Sequence, residues 1–325
     1  MKEIPRLRFA HLPTPVEELP RLSAALNGPR LFIKRDDQTG LAFGGNKTRK
    51  LEFLLAEARE SGARTIITAG AVQSNHCRQT AAAAAKFGLG CILVLSGNKP
   101  DQKTANLLLD DLFNAEIVWT DRAHRDEVLH RTFSQAEIQG RYPYLAPYGG
   151  SSPTGALGYV FAMEELMSQR VNADFIVFAS SSGGTQAGMA LGARLFGFTG
   201  KVLGISIDEP QSVLQEHCAK LAGETASKLD EHVSFKPDDI LVNSAYCSMG
   251  YGVFTDLERE AVRLFAHYEG VLLDPVYTGR AAGGMIDLIR NGFFNTQHTV
   301  LFWHTGGSPA LFADKYQNHL LEVLP

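Results

Sequence analysis

Apolar runs of four or five residues recur along the chain, each followed by a small-residue turn and then a stretch with helical spacing. Leu31-Phe32-Ile33-Lys34, Thr65-Ile66-Ile67-Thr68-Ala69, Cys91-Ile92-Leu93-Val94-Leu95 and Glu116-Ile117-Val118-Trp119 read as strands in the first half. Phe175-Ile176-Val177-Phe178, Val202-Leu203-Gly204-Ile205-Ser206 and Val300-Leu301-Phe302-Trp303 read the same way in the second. Strands apolar along their whole length, separated by helices, belong to parallel sheets covered on both faces. The helical spacing predicts an alanine-rich helix through Ala81 to Lys86, and helices over about 105–113, 125–139, 155–167, 213–222, 257–268 and from 279. Val271-Leu272-Leu273 is a short apolar segment, and the turn-rich Tyr148-Gly149-Gly150-Ser151-Ser152-Pro153 breaks the alternation near its middle. The expected fold is therefore α/β, with two sheets in two domains and a boundary near residue 150.

One stretch does not fit a plain alternation. Phe43-Gly44-Gly45-Asn46 is a turn, and Lys47 opens the helix that follows, on the same stripe as Leu51, Leu54 and Ala58. Arg49, Lys50, Glu52 and Arg59 lie off that stripe and are expected in solvent. An inward amine is costly without a partner or a covalent use. Taken alone, Lys47 could equally be a lysine at a frayed helix start that snorkels to water.

Composition narrows the function. The 325 residues carry 31 Lys+Arg against 35 Asp+Glu, a net charge of −4, and no basic cluster is interleaved with aromatics, which argues against a nucleic-acid surface. No apolar run reaches the roughly 18 residues a membrane span needs, and the N-terminal MKEIPRLRFAHLPTP lacks the apolar core of a secretion signal; a cytoplasmic location is expected. Cys77, Cys91, Cys218 and Cys247 are scattered without metal-ligand spacing, so buried free thiols and no metal site are expected.

Three further motifs follow strands and can converge beyond the sheets' carboxyl ends. Ser180-Ser181-Ser182-Gly183-Gly184-Thr185 opens a helix with glycines and hydroxyls, which suits a single phosphate; the alternative is a well-capped helix start. It lacks the P-loop lysine and the dinucleotide spacing. Gln73-Ser74-Asn75-His76 precedes the alanine-rich helix, where Ser74 and Asn75 could hold a carboxylate or simply cap. Tyr251 and Tyr277 sit in turns, and a phenol can stack on a planar ligand or move a proton. A helix-start lysine, a monophosphate cradle and a hydroxyl after the last strand at Thr305 are together what pyridoxal 5′-phosphate requires.

The segment IKRDDQTGLAFGGNKTRKLEFL, with QSNH, LDPVYTG and HTGGSPALF, resembles the family of D-cysteine desulfhydrase and 1-aminocyclopropane-1-carboxylate deaminase over nearly the whole chain. The resemblance implies the tryptophan-synthase-β-like fold (fold type II), two three-layer α/β/α domains with parallel-rich sheets. It implies a small domain at 49–154 inserted in a large one formed by 1–48 and 155–325, and a homodimer. It also assigns roles. Lys47 would form the Schiff base with pyridoxal phosphate and later move the α-proton. Asn75 would meet the ring oxygen, and Ser74, Asn75 and His76 the carboxylate of an amino-acid substrate. Ser182, Gly183, Gly184 and Thr185 would hold the phosphate. Tyr251 and Tyr277 would flank ring and substrate, Thr278 would lie by the substrate, and Thr305 would face the pyridine nitrogen. Family deaminases carry a glutamate at the position of Thr278 and a leucine at that of Thr305; the threonines here point to β-elimination from D-cysteine first. L-cysteate, releasing sulfite, is the alternative, then the cyclopropane amino acid. A reading from another class, a non-catalytic phosphate binder, leaves Lys47 without a job.

Overall fold

The computed structural model describes residues 1–321. In chain order its elements are β1 (Val16–Glu18), α1 (Pro20–Ala25), β2 (Arg30–Arg35), α2 (Asn46–Glu60), β3 (Thr65–Ala71), α3 (Asn75–Phe87) and β4 (Gly90–Ser96). There follow α4 (Ala105–Leu112), β5 (Glu116–Thr120), α5 (Arg125–Ile138), β6 (Pro143–Leu145), α6 (Pro153–Ser168), β7 (Phe175–Ser180) and α7 (Gly184–Phe196). The last are β8 (Lys201–Ser206), α8 (Gln211–Lys228), β9 (Leu241–Asn243), α9 (Asp256–Glu269), α10 (Thr278–Arg290), β10 (Thr299–His304) and α11 (Asp314–Leu321).

They form two sheets. The larger has the order β1-β2-β10-β7-β8-β9 and the smaller β5-β4-β3-β6. Every pairing is parallel except β1 with β2. Side chains alternate between the faces of a strand, and the core follows that rule. Ile176, Phe178, Leu301 and Trp303 pack with Tyr159 and Met163 of α6 and Met189 of α7. Val177, Val300 and Phe302 pack on the opposite side with Phe265 of α9 and Met285 of α10. In the small sheet Ile67, Ile92 and Val94 meet Val128 and Leu129 of α5, while Leu93 and Leu95 meet Cys77 and Ala81 of α3. The fold is thus α/β, two three-layer units, as expected from the strand pattern. β1, β6 and β9, three residues each, carry no apolar run and were not legible; Val271-Leu272-Leu273 forms no strand.

The expectation that Arg49, Lys50 and Glu52 face solvent is overturned: each is 1% exposed, and of the four only Arg59 lies on the surface. The physical reason is that α2 has no free side over its first turns. Leu51, Leu54 and Leu55 pack toward Ile66 of the small sheet and Ala83 of α3, Phe53 packs with Leu157 of α6, and the N-terminal arm covers another flank. There Glu52 pairs with Arg6 and accepts the Phe9 and Ala10 amides at 2.7 and 2.8 Å. Helix α6 approaches so closely that a Cβ on Gly158 would lie 2.6 Å from the Arg49 carbonyl. Arg49 is satisfied by Asp36, at 2.8 and 2.9 Å, and by Glu165. Asp36 also accepts from Thr14, Tyr159 and Trp303, and Glu165 takes Lys34 at 2.5 Å. Burial alone would raise the Asp36 carboxyl, but Arg49 and Lys34 hold it down at about 2.

All four cysteines are free, and Cys77, Cys91 and Cys218 are buried. Among the described residues no helix is long and apolar enough to cross a membrane, and no cluster of metal-ligating side chains occurs.

Removing one partner from a buried ion cluster strands the others in a low-dielectric interior. Arg49→Met is expected to cost about 3–5 kcal/mol, read as a lower urea midpoint; an unchanged midpoint would contradict the role given to this cluster.

Candidate active site

The turns that leave the carboxyl ends of β2, β3, β7 and β10 converge, as ligand-binding turns do in open parallel sheets. They enclose a cavity. Lys47, Ser74, Asn75, His76, Ser182, Gly183, Thr185, Tyr277 and Thr305 line it together, although they come from positions up to 258 residues apart in the chain (305 − 47).

Lys47 reaches the cavity because of an unusual turn. Ala42, Phe43, Gly44 and Gly45 all have positive φ, at 46°, 66°, 64° and 125°. Two of these are non-glycine residues, a conformation that neighbours must enforce. The Gly45 amide bonds the Asp36 carbonyl at 2.9 Å, and the Asn46 amide bonds the Thr305 carbonyl at 3.0 Å. The Asn46 side chain donates to Thr185 Oγ1 at 3.1 Å. Lys47 Nζ then donates to the Gly149 carbonyl at 3.1 Å. Burial lowers its pKa to about 8, so a useful fraction is the free, nucleophilic amine near neutral pH.

Ser74 is the N-cap of α3, accepting from the Cys77 amide at 3.2 Å, and it also lines the cavity. Asn75 is held by Asn106 of α4, whose amide donates to Asn75 Oδ1 at 3.0 Å. His76 Nε2 lies 2.9 Å from Thr68 Oγ1. Burial, with Lys47 and Lys50 adding to it, holds the His76 ring well below its usual pKa, so it is neutral. Across the cavity α7 begins at Gly183, an N-cap with φ 77° and no side chain to cap the helix. Ser182 Oγ lies 2.8 Å from Ser151 Oγ, which also accepts the Gly184 amide at 3.1 Å. Gly184 therefore shapes the loop without lining the cavity.

Two expected contacts are placed differently. Thr278 is fully buried, donating its hydroxyl to Asp274 Oδ1 at 2.7 Å and accepting the Asp274 amide at 2.7 Å, so it braces the Tyr277 turn and does not line the cavity. Tyr251 does not line it either; its hydroxyl lies 2.8 Å from that of Tyr277, and it faces an outer hollow bordered by Arg122, Arg125 and Tyr148. Burial raises both phenols, so both remain protonated.

Sequence reasoning missed Lys50, Tyr148, Gly149, Ser151 and Asn46. Lys50 Nζ donates to the same Gly149 carbonyl as Lys47, at 3.2 Å, and would lie 3.0 Å from a Cβ placed on Gly184. It therefore stands at the start of α7, where an anion would sit. Its i+3 spacing from Lys47 was the available signal. Tyr148 lines the cavity and both adjoining outer hollows; the Tyr148–Pro153 stretch read only as a break.

The arrangement fits the cofactor its motifs suggest. A lysine amine faces the cavity, and amides, hydroxyls and a second, buried lysine gather where a phosphate would be held. Residues 7–306 match the model of the pyridoxal-phosphate dependent enzyme family. A crystal structure of an ACC deaminase homologue is 38% identical, covering 98% of this chain and 96% of that one, with a TM-score of 0.90. More distant structures share the fold. The processed form of threonine deaminase isoform 2 from Solanum lycopersicum is 16% identical, covering 90% and 79% of the two chains, with a TM-score of 0.64. A hydrogen sulfide-producing enzyme from Fusobacterium nucleatum is 14% identical, covering 93% and 96%, with a TM-score of 0.64. On the span of the family match and the extent of the 38% identity, the chain belongs to the pyridoxal-phosphate dependent enzyme family.

Proposed function

We propose that this enzyme is a β-elimination lyase whose first substrate is D-cysteine, cleaved to sulfide, ammonia and pyruvate. The observation that carries this reading is the charge of the cavity wall. Among the described residues lining it, Lys47 is the one charged side chain, with no carboxylate and no arginine. A carboxylate at the pyridine nitrogen would strengthen the ring as an electron sink, which opening a cyclopropane demands and expelling a thiolate does not. An arginine would be the natural partner of a sulfonate, so L-cysteate ranks second and the cyclopropane amino acid third.

Bound here, the cofactor supplies an aldehyde for a lysine and a ring that takes up the electron pair released at the substrate's α-carbon. Lys47 would hold the cofactor through its aldehyde carbon, the carbonyl oxygen leaving as water, and, once the substrate's amine has displaced it, would as a free amine remove the α-proton. The start of α7, with Ser182, Thr185 and Lys50, would hold the phosphate. Asn75 would meet the ring oxygen and Thr305 the pyridine nitrogen. Ser74, Asn75 and the first amides of α3 hold the substrate carboxylate. Tyr277 offers its phenolic proton to the departing sulfur, and Tyr251 behind it restores that proton from the outer hollow.

Three measurements test this. A panel of D- and L-cysteine, D- and L-cysteate, β-chloroalanine, D-serine and 1-aminocyclopropane-1-carboxylate, assayed for keto acid, sulfide and sulfite, is expected to rank D-cysteine first by kcat/KM; a higher value for L-cysteate or the cyclopropane would replace the assignment. Lys47→Ala is expected to lower turnover by about 1000-fold or more while the circular dichroism spectrum is retained. Because the Lys47 ammonium must lose its proton before it attacks an aldehyde, uptake of pyridoxal phosphate by the apoprotein is expected to speed up as pH rises from 7 to 9. The midpoint should lie near 8; a rate flat over that range would assign the bond to another amine.

A further inference from the structure

Helix α3 does more than present its first turn to the cavity. One turn further on, Arg78 and Gln79 point back to the lysine loop. Arg78 Nη2 donates to the Gly44 carbonyl at 3.0 Å, and Gln79 Nε2 donates to the same oxygen. Gly44 lies in the run of positive φ that delivers Lys47, three residues before it. Such a backbone persists only where its surroundings over-determine it, and these two donors grip it from the side of the small sheet.

Both side chains are fully buried. Arg78 is the costlier of the two: its Nε and Nη1 have no hydrogen-bond partner among the described residues, and neither do the oxygens of buried Asp110 on α4. Asp110 and Asp274 are the carboxylates whose fields act on it. A guanidinium kept in such a place for packing alone is expensive compared with an apolar side chain of the same volume. Its neighbours are themselves tied to the cavity. Asn106, one turn before Asp110, holds Asn75. Asp274 accepts the Tyr277 amide at 2.9 Å.

We propose that Arg78, assisted by Gln79, is a positioning residue that fixes Lys47 relative to the start of α3 through the Gly44 carbonyl. A carboxylate seated on Ser74 and Asn75 is thereby registered against the amine that must reach its α-carbon, because both are referred to one helix. This rests on Lys47 being the lysine that bonds the cofactor.

The test compares holoenzymes. Arg78→Met is expected to lower kcat 10- to 100-fold with KM for D-cysteine within threefold, to weaken pyridoxal phosphate binding at least fivefold and to shift the visible absorption band. Arg78→Lys, which keeps the charge and a donor, is expected to recover at least a third of the lost kcat on a logarithmic scale. Asp110→Asn, which leaves the Gly44 contact intact, is expected to keep kcat within threefold. Unchanged kcat and cofactor affinity in Arg78→Met overturn the proposal, as does an equal loss in Asp110→Asn. Should Arg78→Met not fold, Gln79→Leu carries the same readouts with a smaller expected effect, about three- to tenfold in kcat. Borohydride reduction of the parent followed by peptide mapping separates the two levels: a label away from Lys47 overturns the lysine assignment, whereas a label on Lys47 with Arg78→Met unaffected overturns the positioning role alone.

Discussion

Asp36 is the point on which the architecture of the site depends. Its carboxylate, buried beneath the sheet end, binds Arg49, and its own carbonyl binds the Gly45 amide. Lys47 lies midway between those two attachments. A single residue in the turn after β2 thus sets both the entry of the chain into α2 and the rotation of its first turn. The energetic logic is that of a buried charge network: the ions gain little over apolar packing, but none of them can be displaced without stranding the others. Glu165 and Tyr159 from α6, with Trp303 from β10, extend the constraint to one helical layer and to the middle of the large sheet.

Around that anchor the cavity is assembled from helix starts. Two helices, α3 and α7, aim their N-termini at it from different sheets, and each offers free N–H groups and the positive end of its dipole to an anion. They differ in how they are finished. A serine that also faces the cavity caps α3, whereas the N-cap of α7 is a glycine and the first amide of that helix is taken by Ser151 Oγ from another segment.

Much of this was legible in the chain, for identifiable reasons. Full-length apolar strands announced parallel sheets, and hydroxyl- and glycine-rich turns after them announced where the polar groups collect. The inward stripe of Leu51, Leu54 and Ala58 correctly oriented the start of α2. What failed was the assumption behind any stripe, that the opposite face of a helix meets water. Enclosed by both units and by the N-terminal arm, α2 buries Arg49, Lys50 and Glu52 through partners 13 to 116 residues distant in sequence, and no local pattern encodes such partners. The Gly149 carbonyl escaped notice for a related reason: a backbone oxygen carries no residue signature, so its service to two lysines emerges only from the fold. Thr278 was misplaced because its partner, Asp274, sits in the same short motif and captures its hydroxyl.

The state of the sulfur atoms has a bearing on chemical durability. Sulfide and sulfite both attack disulfides, and thiolates exchange readily with sulfur-bearing products. This chain has no disulfide among its described residues, and burial raises the thiols of Cys77 and Cys218, the latter to about 12. Cys218 lies directly beneath the Gly183 turn yet donates toward the Gly183 carbonyl at 3.6 Å. Thiols held buried and protonated in this way are slow to oxidise or to exchange with sulfur nucleophiles.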